Sequence, residues 1–397
     1  KVVLPFAFVG TSATGDATSF ATYTSATSNS RALQPDELLG TLFKDQNIRL
    51  TTASSNLGAS FKVNSLQLNS GSSLFLAPNS VLTIGGAAGL SGGILATANT
   101  VINNGLITAG AASDVLLYVT SGSTLTMNSV ITGAGGGSNA GFVKSGAGTV
   151  VLTKPVLANG QYTINQGTVK LAAGNQTLWG YNQGNSFFSM TGGTLDLNGT
   201  VQMTGAIFQD NQPADSTPVI TSTGGNSTLV INAPDGRDFA GRVTGPVALA
   251  YGSTGAAALT LWSDNTYTGP TLVYGGMLQL AGNAQLSGTS AIELSYGSLQ
   301  LNSGGDSGGG GGGAYLGNRI PDTAPITMRG ARLFFMGRNW TDTQENLGVV
   351  TIAGGGSDLH INAGTAPTGT FSNKLVLADL RREADGVLNI QGSPGIL

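Results

Sequence analysis

The 397 residues carry 17 basic and 20 acidic side chains for a net charge of −3, and charged residues make up 9% of the chain, against roughly 25% in an average soluble domain. So thin a basic complement excludes a nucleic-acid-binding stripe, and the absence of cysteine excludes disulfides and thiolate metal sites. Disordered chains combine low hydrophobicity with high net charge; here the hydrophobic fraction is 40% and the mean hydropathy +0.13, so a folded, polar-uncharged protein is expected.

Residues 1–46 read as an N-terminal extension. The opening "KVVLPFAFVG" is β-prone and apolar. It is too short to cross a membrane and lacks the basic region and cleavage pattern of a signal peptide, which suits the start of a processed chain. Ahead of a Ser/Thr-rich connector, it is a candidate exchanged strand, with Val2, Val3, Leu4, Phe6, Phe8 and Val9 as candidate subunit contacts. In "QPDELLGTLF", Pro35, Asp36 and Glu37 have the composition of a helix first turn, and Leu38, Leu39, Leu42 and Phe43 share a face. One short capping helix is expected over 36–44.

From residue 47 to 397 the text is uniform. Apolar residues alternate over four to six positions, Gly, Asn, Ser or Asp intervene, and alternation resumes, as in "SLQLNSGSSLFLAPNSVLTIGG". Such text predicts short strands joined by turns. "KLVLADLRREADG" is open between a helix and a strand followed by a charged turn. The phrase x-L-x-L, with a turn residue before and a glycine after, recurs as "NSLQLNSG", "GTVKLAAG", "GTLDLNG", "GMLQLAG" and "GSLQLNSG". Leu171 and Leu197, and Leu280 and Leu301, are a coil's length apart. A longer unit also returns: Leu152 precedes Leu171 by the same interval as Leu261 precedes Leu280. A period of about 20 to 26 residues carrying short strands predicts a β-solenoid, in which stacked coils bury the leucine faces that one coil cannot bury alone. At about 22 residues per coil, 47–397 would make about 16 coils and a rod on the order of 75 Å long. Scarce charge suits a stack, where like charges would lie over one another.

The run Leu259-Thr260-Leu261, Asn265-Thr266-Tyr267-Thr268-Gly269, Thr271, Val273, Gly276, Leu278 and Leu280 resembles the autotransporter-associated β-strand repeat. The likeness is close over about 30 residues and looser over much of 47–397. It departs at Pro270, where the family often has glycine, and at Tyr274, commonly a small polar residue. The resemblance implies an all-β, right-handed parallel β-helix that is exported and exposed at the surface of a Gram-negative-type bacterium. It implies no activity. The final "LNIQGSPGIL" does not resemble a terminal barrel strand, which suits a released passenger, a fragment, or a protein that borrows the repeat.

Candidate chemistry is sparse. "PDGRDFAGR" holds the densest acid–base cluster, Asp235, Arg237, Asp238 and Arg242, read either as a ligand surface or as a polar loop leaving the solenoid. "DLRREAD" reads as a solvated turn or a subunit contact. His360 is the only histidine, so no histidine cluster can bind a metal. Tyr315, Arg332, Phe334, Phe335, Arg338 and Trp340 form an aromatic and basic stretch suited either to glycan stacking or to packing. The glycine tract 304–315 is followed by no Gly-Lys-Ser/Thr, so it is not a phosphate loop; packing against another chain is expected there. No cofactor is expected. Uncapped solenoid ends template association, so head-to-tail stacking or strand exchange into a homo-oligomer is expected. The reading is a non-enzymatic extracellular subunit of a surface filament, sheath or adhesive fibre. The alternatives are a monomeric passenger adhesin meeting a glycan or host surface and, from another class, a polysaccharide-active enzyme.

Overall fold

The structure, a computed structural model, describes the chain except residues 1, 11–15, 24–30, 35–36, 41–44, 52–54, 86–91, 111–113, 134–140, 159, 179–186, 210–216, 254, 256, 305–315, 339–340, 363–371 and 393–397. The protein is all-β: no α-helix occurs among the described residues. The chain forms two compact units, Lys1–Asn198 with Asp210–Ser216, and Gly199–Gln209 with Thr217–Leu397.

The first unit winds through three sides of parallel strands. One side stacks Asn47–Leu50, Ser65–Leu68, Gly92–Ala96, Val115–Val119, Phe142–Ser145, Tyr162–Ile164 and Phe187–Met190. A second stacks Ser55–Leu57, Ser73–Leu76, the first half of Thr100–Ala109, the first half of Thr124–Thr132, Thr149–Leu152, Thr168–Leu171 and Thr194–Asp196. A third runs through Phe61–Val63, Val81–Ile84, the second halves of those two long strands, and Val156–Leu157. Parallel pairing at every step, with each side revisited once per coil, is the arrangement of a β-solenoid. Alternation places one face of each strand inside. Leu74, Ile102, Met127, Leu152 and Leu171 therefore pair in one fully buried column, each side chain contributing about 1.5–3 kcal/mol of burial. At one corner of the winding Asn128 donates to Asn103 Oδ1 (2.7 Å) and accepts from Thr153 (2.5 Å), a polar ladder between coils.

The N-terminal strand Val2–Gly10 pairs antiparallel with Ala17–Tyr23 of the same chain, which also pairs Arg31–Ala32. This small sheet covers the outside of the first parallel side. Phe8 meets Phe20 (5.2 Å between ring centroids) and Tyr118 (4.5 Å), and Gln67 Nε2 donates to Thr18 O at 3.1 Å. Of the window 36–44, residues 36 and 41–44 lie outside the described residues. In the remainder Glu37 lies in a 3-10 turn, its N–H bonded to Gln34 O, and Leu39 pairs in parallel, bonded to Asn47 and Arg49 and bridging Ile48.

The second unit repeats the scheme. Val201–Thr204, Ser227–Asn232, Val247–Gly252, Thr271–Val273, Ile292–Ser295, Ile326–Arg329, Thr343–Asn362 and Asn373–Arg382 stack in parallel. Beside them stack Arg237–Phe239, Ala258–Leu261, Met277–Leu280, Ser298–Asn302, Arg332–Met336, the end of Thr343–Asn362, and Gly386–Gly392. The inward column here is Phe239, Leu261, Leu280, Leu301 and Phe335, all fully buried. The "NTYTG" segment lies between Ala258–Leu261 and Thr271–Val273, and its polar side chains tie it to neighbouring coils. Asn265, fully buried, accepts Val243 N–H at 2.9 Å and donates to Ser263 O at 2.6 Å. Tyr267 shares a hydrogen bond with Thr271 (2.6 Å), and Thr271 shares another with Thr289 (2.9 Å). Residues 374–382, open in the sequence between helix and strand, lie in a strand. The tract 305–315 lies outside the described residues.

Candidate functional site

The acid–base cluster of "PDGRDFAGR" sits at a corner of the second unit. Arg237 lies on a strand, pairs with Asp235 at 3.3 Å and holds its guanidinium 5.3 Å above the Phe208 ring. Asp238 points outward and accepts Trp262 Nε1–H at 3.0 Å. Arg242 opens the next strand, exposed. The structure thus brings only Asp235 and Arg237 of the four together; Asp238 is held by Trp262 instead, and the two aspartates form no carboxylate pair. Among the described residues no group of three His, Asp or Glu could hold a metal ion.

Asp238 starts an outward column that climbs one strand per coil through Thr260, Gln279, Gln300, Phe334, His360 and Gln391. Thr260 donates to Gln279 Oε1 at 3.3 Å, and the rings of Phe334 and His360 meet at 4.3 Å. Arg332 beside them pairs with Asp358 at 3.3 Å. The aromatic stretch therefore divides: Phe334 faces out, Phe335 is buried, and Tyr315 and Trp340 lie outside the described residues. His360 is a strand residue with a ring neighbour. "DLRREAD" carries a local ion pair, Arg381 to Asp379 at 2.8 Å, on an exposed strand.

The candidate contact residues at the N-terminus are paired within the chain: Val2 opposite Tyr23, Val3 opposite Thr22, Leu4 opposite Ala21, Phe8 opposite Phe20 and Val9 opposite Ser19, with Phe6 on the same strand. In the first unit a notch of about 310 Å³ opens at a coil corner, lined by Asn79, Asn104, Leu106, Asn128 and Lys154 among others.

Three charges that composition and pattern leave unmarked lie inside. Lys144, fully buried, donates to the carbonyl oxygens of Ser145 (2.9 Å), Gly146 (2.7 Å) and Gln166 (3.0 Å); burial lowers its pKa to about 7. Arg319, also fully buried, ties together the carbonyls of Gly282, Ala284 and Asn302, and burial lowers its pKa to about 10. Glu345 accepts the backbone N–H groups of Arg319 (2.7 Å) and Ile320 (3.0 Å); burial raises its pKa to about 7 against the pull of those bonds. Each is enclosed by backbone of adjacent coils, so these groups hold the stack rather than meet a solute. The signal that could have found Lys144 and Glu345 is parity. Lys144 stands two positions from buried Phe142, and Glu345 stands between buried Thr343 and Leu347, so strand alternation turns both inward.

The chain is similar to the adhesin BmaC autotransporter of Brucella suis biovar 1 (strain 1330), 30% identical over 340 residues, 80% of this chain. It spans 8% of the length of that relative. No family model matches the chain, and no solved structure does.

Proposed function

We propose that the chain is a passenger segment of an autotransporter-type adhesin, a non-enzymatic β-helix displayed at the surface of a Gram-negative-type bacterium. The observation that carries this reading is the likeness to an adhesin over 80% of the chain, together with a parallel winding that meets the same text coil after coil. Right-handed winding belongs to the proposal, supported by the near-universal right-handedness of parallel crossovers. The test is display of the 397-residue chain behind a membrane anchor on a non-adherent Gram-negative host. Increased attachment to host-cell monolayers is expected; attachment equal to the anchor alone would sink the reading.

A further inference from the structure

Between the two long sides of the second unit, each coil turns a corner, and register places the corner residues of successive coils side by side. Val273 pairs Leu294, and Met277 pairs Ser298, so Gly275 aligns with Tyr296. Ser295 pairs Arg329, and Ser298 pairs Arg332, so Tyr296 aligns with Gly330. Gly275 (φ 121°) and Gly330 (φ 55°) occupy the left-handed region that glycine tolerates. Tyr296 occupies it too, at φ 56°, where a bulky residue is strained. Its neighbours show that the fold supplies glycine at this position, yet here it holds the most exposed large hydrophobic side chain among the described residues, at 84%.

The surroundings show what this strain maintains. The ring leans over Gly330: a β-carbon built there would lie 3.2 and 3.3 Å from Cε1 and Cδ1 of Tyr296. Glycine on both flanking coils leaves the ring clear of other side chains in its own column. In the adjoining column stand Tyr274, 53% exposed, one coil to one side, and Arg329, exposed, one coil to the other. Glu293, exposed, lies on the same strand as Ser295. The three outer positions span two coil spacings, about 10 Å. The side chains of Tyr274, Tyr296, Glu293 and Arg329 make no hydrogen bond or ion pair among the described residues, so their polar groups are available.

We propose that Tyr296 and Tyr274, flanked by Arg329 and Glu293, form a platform that binds a neutral pyranose glycan. This deepens, and rests on, the adhesin reading. A sugar ring offers an apolar C–H face to an aromatic ring and hydroxyls at its rim, and planar guanidinium and carboxylate groups pair such hydroxyls in twos. One acid beside one base disfavours an anionic polymer, which would meet Glu293. A protein partner is disfavoured by area: a specific interface needs about 800 Å² per side with an apolar centre, and glycine and polar strands surround the two rings.

The test compares the full chain with Tyr296→Gly, Tyr296→Trp and Tyr274→Ala on an array of neutral and acidic pyranoside oligosaccharides that also carries extracellular-matrix proteins, with melting temperature measured for each. The unchanged chain is expected to bind neutral oligosaccharides. Tyr296→Gly is expected to weaken binding at least tenfold while melting at the same or a higher temperature, because it relieves the backbone. Tyr296→Trp keeps a stacking face and retains binding. No glycan binding, binding of acidic glycans or matrix proteins alone, or undiminished binding by Tyr296→Gly would each overturn the platform. The display assay separates the two proposals: attachment with an empty array defeats the platform alone, and array binding without attachment defeats the adhesin reading alone.

Discussion

Glu345 accepts the backbone N–H of Arg319 at 2.7 Å, so a carboxylate on one coil of the second unit holds the backbone of residues 319 and 320 beside it. Burial raises the pKa of Glu345 from 4.5 to about 7. Between those values the unfolded chain has released this proton while the folded chain keeps it. The folded state binds more protons, so stability falls as pH rises through the window, by on the order of 3 kcal/mol at most. Glu345→Gln, neutral throughout and still an acceptor, is expected to flatten that slope in urea unfolding. Glu345→Leu leaves the two buried N–H groups of Arg319 and Ile320 without their acceptor and is expected to cost about 2–6 kcal/mol, since each unsatisfied group costs about 1–3 kcal/mol.

Lys144 gives the first unit the opposite slope. Its pKa falls from 10.5 to about 7 on burial. Between about 7 and 10.5 the unfolded chain carries the proton that the folded chain has lost. Stability therefore rises with pH across that window. Lys144→Met removes the titrating group, and unfolding measured across the same window is expected to lose this rise. A rise of unchanged size in the variant would show that another group is responsible.

Much of the winding was legible because its period is written in leucines. Leu152 pairs Leu171, Leu261 pairs Leu280 and Leu280 pairs Leu301, as the recurring intervals imply; Lys170 pairs Asp196, which brings Leu171 level with Leu197. Leu68 carries the same x-L-x-L text but lies on a different side of the first unit, opposite Leu50 and Ala96. The text does not distinguish sides because every side needs the same alternation to fill the same core. The candidate surface was legible in composition and not in partnership: Asp238 is held by Trp262, which the sequence places 24 residues away. Tyr296 gave no signal, since a tyrosine before Gly297 in strand text reads as ordinary turn text until register places it between two glycines.

Asn265 tests why the repeat writes asparagine at that point. It is fully buried and satisfies both Val243 N–H and Ser263 O. Asn265→Ala leaves a buried donor and acceptor unpaired and is expected to cost about 2–4 kcal/mol, since each unsatisfied group costs about 1–3 kcal/mol. Tyr267→Phe keeps the ring and removes only the hydroxyl shared with Thr271, for an expected loss of about 1 kcal/mol. Denaturant unfolding of both variants checks the order. Equal losses would mean that the aromatic body, rather than the hydrogen bonds, sets the site.

Gly167 tests the closeness of the stack. It has φ 72°, and a β-carbon there would lie 2.3 Å from Gly148 O, 2.4 Å from Gly146 O and 2.7 Å from Lys144 Nζ. Two of those atoms are backbone and the third is the ammonium that binds the turn carbonyls, so none can withdraw without breaking a coil contact. Thr149 pairs Thr168 and Thr168 pairs Thr194, which makes Gly148, Gly167 and Gly193 one column of coil corners. Gly167→Ala therefore combines a left-handed strain of about 1–2 kcal/mol with a steric clash, and a total loss of about 3 kcal/mol or more is expected. Gly122 has nearly the same φ, 69°, but no atom within 4 Å of its would-be β-carbon. Gly122→Ala isolates the conformational part, and its expected cost is about 1–2 kcal/mol. Unfolding free energies of the two variants should differ by the clash alone; equal losses would show that the corner relaxes around a methyl group and that the column is not close-packed.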